Sequence, residues 1–89
     1  MKDGYSADNI IEVWMGSGKF DEKNREIGYI VGFNQNIDGT EFAAWVQKGR
    51  KVEHDFFGFG TAQRAKLFTD QKRARDWAYQ TAKYRTSQL

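Results

Sequence analysis

The chain has 89 residues, 39% of them hydrophobic and 16% aromatic, with a net charge of +2, nine glycines, no proline and no cysteine. A chain of this length makes one domain that buries about two-thirds of its unfolded surface. The missing cysteines exclude a disulfide framework and a thiolate metal site, no apolar run is long enough to span a membrane, and "MKDGYSADN" lacks the apolar stretch of a signal peptide. A soluble cytoplasmic protein without a membrane partner is expected.

Residues 1–9 are polar and are expected to be a flexible N-terminus, with Tyr5 as the only anchor. The run "IIEVWM", Ile10 to Met15, alternates Ile11, Val13 and Met15 with Glu12 and Trp14 and predicts a strand. "GSGKFDEKN" is expected to break it with Gly16, Gly18 and an Asp-containing turn. A second strand is predicted in "EIGYIVGFNQNI", where Ile27, Tyr29, Val31 and Phe33 share one face and Gly28, Ile30 and Gly32 the other.

Asp38-Gly39 predicts a two-residue type I′ hairpin, in which both central residues take positive φ. Counting outward pairs Gln35 with Phe42, Phe33 with Ala44 and Val31 with Val46, and sets Gly32 opposite Trp45. "KGRK", residues 48–51, reads as a second turn and "VEHDFFGFG" as a fourth strand, with Phe57 and Phe59 on one side and Phe56 on the other. "TAQRAKLF" is open between the end of that strand and a helical turn. Thr69-Asp70 is a helix N-cap signal, after which Ala74, Trp77, Ala78, Thr81 and Ala82 recur at helical spacing. The fold class is α+β: a four-stranded antiparallel β-meander followed by one C-terminal amphipathic helix packed on one face. The domain is expected over residues 10–86, with 87–89 as a tail.

Catalytic and cofactor motifs fail on inspection. "GSGKF" has Phe20 where a phosphate-binding loop needs Ser or Thr, and it lacks the Gly five residues before Gly18. His54 is the single histidine, and its neighbour Asp55 points to the other face of a strand. Asp21, Glu22 and Glu26 fit a solvated turn better than a magnesium site. Ser6, Ser17 and Ser87 have no base at a recognisable spacing. A non-enzymatic protein with no cofactor, no metal and no small-molecule substrate is expected.

The charge is divided unevenly. Residues 1–46 hold four Lys/Arg against eight Asp/Glu, a net of −4, and residues 47–89 hold ten against four, a net of +6. This division fits an anionic partner for the second half, or mutual attraction of the halves within one fold. In the first case Lys48, Arg50, Lys51, Arg64, Lys66, Lys72, Arg73, Arg75, Lys83 and Arg85 form a stripe that neutralises phosphates, with Tyr79 beside it for stacking. Non-specific binding of DNA or RNA follows. In the second case they are an ordinary charged helix face with its loops. The ending "AKLFTDQKRARDWAYQTAKY" resembles the close of small sheet-plus-helix DNA-binding domains of the plant type over 20 residues. Those domains read DNA with Arg- and Trp-bearing strands, whereas strands two and three here carry almost no Arg or Lys, so no residue is carried over.

A second function class rests on the aromatics. One helix covers one face of a sheet, and Trp14, Trp45 and Phe56 fall opposite the Val31/Phe33/Phe42 alternation. If exposed, they make an apolar patch for a protein partner or a homodimer. A chain of this kind would suit a small adaptor, or an inhibitor or modulator of a host enzyme such as phages encode.

Overall fold

The structure, a computed structural model, describes residues 5–59 and 64–89. Five strands and one helix follow in order: β1 (Ile11–Phe20), β2 (Glu26–Gln35), β3 (Phe42–Val52), β4 (Asp55–Gly58), β5 (Lys66–Phe68) and α1 (Gln71–Ser87). The sheet is an antiparallel meander β1-β2-β3-β4, and β5 pairs with the first residues of β3. β4 pairs with the last residues of β3, so two short strands share its outer edge. The expected α+β meander with a C-terminal helix is therefore the fold, with β5 added from the stretch left open between strand and helix. Thr61, Ala62 and Gln63 of that stretch, and Gly60 before it, lie outside the described residues.

The β2–β3 register is the one counted from Asp38-Gly39: Val31 meets Val46, Gly32 meets Trp45 and Phe33 meets Ala44. The loop itself differs from the expected two-residue turn. Gly39 takes φ 72° while Asp38 is not among the residues with positive φ. Gly39 N–H donates to the Asn36 carbonyl, and Asn36 N–H to the Glu41 carbonyl, both at 3.0 Å. The Asn36 side-chain oxygen accepts from the backbone of Thr40 and Glu41. A four-residue loop thus closes on an Asn36–Glu41 pair, and lengthening a loop by one residue on each side leaves the register unchanged.

Three further boundaries depart from the sequence reading. β1 does not stop at Met15; the register shifts between Gly16 and Lys19, and pairing resumes to Phe20. Glu26 fills this bulge, where its carboxylate accepts from Gly18 N–H at 3.0 Å and from the Trp14 indole at 3.3 Å. Residues 48–51 are not a turn but the continuation of β3. Gly49 is bare there because Ile30 packs against its backbone, where a Cβ would lie 2.9 Å from Ile30 Cδ1. The real turn follows Val52, at Glu53 with φ 57°. Residues Tyr5 to Asn9, expected to be loose, are tied to the hairpin end. Tyr5 bridges Asn36 and its hydroxyl donates to Glu41, while Asn9 Nδ2 donates to the Gln35 carbonyl.

The core lies between the sheet and α1. Val31, Phe33, Ala44 and Val46 meet Ala74, Ala78 and Ala82, with Met15, Tyr29, Phe42, Phe68, Trp77 and Tyr79 around them. Alanine at four-residue spacing lets the helix backbone approach the sheet closely, so the helix sits on a stripe of methyl groups. Burying Val31 and Val46 completely stabilises the fold by about 1.5–3 kcal/mol each. Asp70 caps α1, its carboxylate accepting from Lys72 N–H at 2.9 Å. A cap of this kind is worth about 1 kcal/mol. Among the described residues no helix is long and apolar enough to cross a membrane.

Candidate nucleic-acid interface

The ten cations and Tyr79 of the expected stripe divide into groups with different surroundings. Lys48 and Arg50 follow buried Val46 at two-residue steps along β3, so they continue the helix-side face beyond it. Lys51 stands on the opposite face and leaves the stripe. Arg50 is also engaged within the fold: its Nη1 lies 3.6 Å from Asp21 Oδ2, and its guanidinium sits 4.4 Å from the Phe59 ring centre. Its Nε is buried without a hydrogen-bond partner, so the carboxylate and the ring are what hold the group in place.

Asp21 organises this end of the sheet. Its Oδ1 accepts from the backbone of Lys23 and Arg25, and its Oδ2 pairs with the Arg25 side chain at 3.0 Å. The Arg25 backbone hydrogen bond is the first cause holding the Asp21 carboxyl below the usual carboxylate range; the Arg25 side-chain bond, the Lys23 backbone bond and the Arg25 charge act in the same direction.

On α1, Lys72 pairs with Asp76 at 3.2 Å across one exposed turn. Such a pair contributes little to stability and leaves the ammonium accessible. Arg75 leans over Phe33, 5.3 Å from the ring centre. Arg85 follows the alanine stripe and is half-buried. Tyr79 is not a stacking platform: it is half-buried, with its ring 5.6 Å from that of Phe33. Spacing alone put Tyr79 on a flank, but that flank faces β2 and not solvent.

The remaining cations, Arg64, Lys66, Arg73 and Lys83, are exposed and have no acid partner among the described residues. Lys66 stands on β5 with its ammonium 5.6 Å from the Phe68 ring and 5.5 Å from Trp77. Those two rings are tilted against each other at 5.8 Å. Arg73 precedes Trp77 by four residues and therefore lies one turn before it on the same flank. Lys48 repeats the arrangement at the other end of the edge, 5.7 Å from Phe59. Cations thus stand beside aromatic rings at both ends of the edge that β4 and β5 form on β3, and the β5 end also packs against the helix. The sequence pattern marks Phe59 as a strand residue and Trp77 as core. Phe59 reaches Lys48 where the chain runs on from β4 along β3, and Trp77 meets Lys66 through β5, whose pairing no local pattern specifies.

Trp14, Trp45 and Phe56 share the face opposite the helix, as their alternation predicts. All three are half-buried. Trp14 stacks on Phe56 at 5.9 Å, Trp45 lies against the bare backbone of Gly32, and Ile30 on this face is only 4% exposed. These rings form a second, thin core of their own. His54 is exposed in the turn after β3, and no group of metal-ligating side chains occurs among the described residues. Compared with known proteins, the chain matches no family model, no curated protein and no solved structure.

Proposed function

We propose that the protein is a small non-enzymatic module that binds nucleic acid without sequence preference, through the outer edge of β3 formed by β4 and β5, next to α1 at β5. The observation that carries this reading is the cluster of Lys66, Arg73, Phe68 and Trp77, in which two exposed cations without acid partners flank aromatic rings. Arg64, two residues before Lys66, adds positive charge beside this cluster, and Lys83 adds it on the solvent side of α1. Phosphate neutralisation by such cations releases counterions, so affinity falls with salt and carries no sequence information. The self-covered face of Trp14, Trp45 and Phe56 gives less support to the protein-partner reading than it would if those rings stood open.

The test is fluorescence anisotropy with labelled DNA and RNA over a salt series. Micromolar or weaker binding is expected, with log affinity falling by about 0.9 per duplex phosphate contact for each unit of log salt. Replacing Lys66, Arg73 and Lys83 together by Gln should lower affinity and flatten that slope by about two to three. Replacing Lys2, Lys19 and Lys23 should do much less. Absence of binding at low salt would overturn the proposal.

A further inference from the structure

The same edge carries rings that the fold does not need. Tyr84 is 67% exposed and Phe57 is 55% exposed. Tyr84 follows Trp77 by seven residues, so it lies on nearly the same flank of α1, about 10.5 Å further along the axis. That flank is turned toward β5, since Trp77 meets Phe68 there. Phe57 is paired with Arg50 and therefore faces the helix side of the sheet, on the strand that borders β3. Two exposed aromatic rings thus lie on the helix side of the molecule, one on the flank of α1 that turns toward β5 and one on β4. Neither ring has a stacking partner among the described residues.

Reading a duplex groove, by contrast, needs an element free to enter it. α1 is pinned along its length by Ala74, Ala78 and Ala82. β2, at the centre of the sheet, has no Lys or Arg and is covered on both faces. Bases in a duplex stack on one another and offer no face to a protein ring, whereas unpaired bases do.

Resting on the nucleic-acid reading, we infer that the ligand is single-stranded, with bases stacked on Tyr84 and Phe57 and phosphates held by Lys48, Lys66 and Arg73. Both rings are exposed, so truncating them should leave the fold intact, which a thermal melt verifies.

The experiment compares a labelled oligothymidylate of about 16 nucleotides with a hairpin duplex of equal phosphate count, by anisotropy at the same salt. The single strand should bind at least about tenfold more tightly. Tyr84→Ala and Phe57→Ala should each weaken single-strand binding by about tenfold without changing its salt slope, because no phosphate contact is lost. Tyr84→Phe should retain the affinity. Equal or tighter duplex binding, with both alanine variants unaffected, would overturn this inference and leave the basic edge standing. No salt-dependent binding of either probe would overturn both.

Discussion

Gly32→Ala tests the second core directly. A Cβ at this position would overlap the Trp45 indole, whose Cε2 and Cζ2 occupy that space. The central strands cannot part, because Val31 and Phe33 on either side are clamped between β3 and the helix. The ring must therefore swing outward, which uncovers its own inner face. Overpacking of this kind costs about 1–3 kcal/mol, and Ala recovers about 0.5–1 kcal/mol over Gly through the entropy of the unfolded chain. The difference spans about 0–2.5 kcal/mol, a net loss of about 1 kcal/mol at its centre. With a urea slope of about 1 kcal/mol/M, the low end for small proteins, the midpoint should fall by about 1 M. Tryptophan emission of the folded variant should shift to the red as Trp45 meets water. In a Trp45→Ala background the obstacle is gone, and Gly32→Ala should be neutral or stabilising, so the two changes are non-additive. A single Gly32→Ala variant as stable as the parent would refute the flat packing of Trp45 on β2.

Ala78→Leu places three extra carbons between α1 and the sheet at a fully buried point, and should destabilise by about 1–3 kcal/mol in urea denaturation; an unchanged midpoint would mean that the helix does not press on the sheet there. Asp21→Asn tests the electrostatic anchor of the sheet's far end. Because the folded carboxyl titrates below the usual range, its stabilisation is complete above the unfolded value and is lost as pH falls through the folded one. The parent should therefore melt higher than Asp21→Asn at neutral pH, with the gap closing as pH falls below the usual carboxylate value of about 4; a gap that stays constant on acidification would remove the carboxylate charge from the explanation.

The parts of the fold legible in the sequence were those set by a local rule. Alternation placed Val31 and Phe33 on one face and Ile30 and Gly32 on the other, and the spacing of Ala74, Ala78 and Ala82 fixed the buried stripe of α1. The hairpin register survived a wrong turn type because two-residue and four-residue loops on the same axis pair the same residues. Glycine misled where it had two meanings. Gly49 reads as a turn in "KGRK", yet in the sheet it accommodates Ile30 from the neighbouring strand. Gly16 and Gly18 likewise read as a strand end, although Glu26, on the neighbouring strand, holds a bulge there. β5 is three residues long and gains its identity only from pairing with β3, so no periodicity could announce it.

The charge division shows why the candidate site was harder to read than the fold. A sum over residues 47–89 counts Arg50 and Lys66 alike, but the fold treats them differently. The turn between β1 and β2 brings Asp21 to Arg50, so that part of the positive half is neutralised by the negative half. Arg64, Lys66, Arg73 and Lys83 gain no such partner among the described residues; β1 and β2, with Glu12 and Glu26, run on the far side of β3 from β5. Position in the sheet, rather than charge count, thus separates the internal attraction from the surplus. Of that surplus, Lys66 and Arg73 lie beside Trp77, and Lys83 stands on the solvent side of the helix. A helix needing only a solvated outer face would place its cations there as well, opposite the alanines. Lys66 lies instead on a strand, over the aromatic seam between sheet and helix, where solvation of the helix gives no reason for a cation.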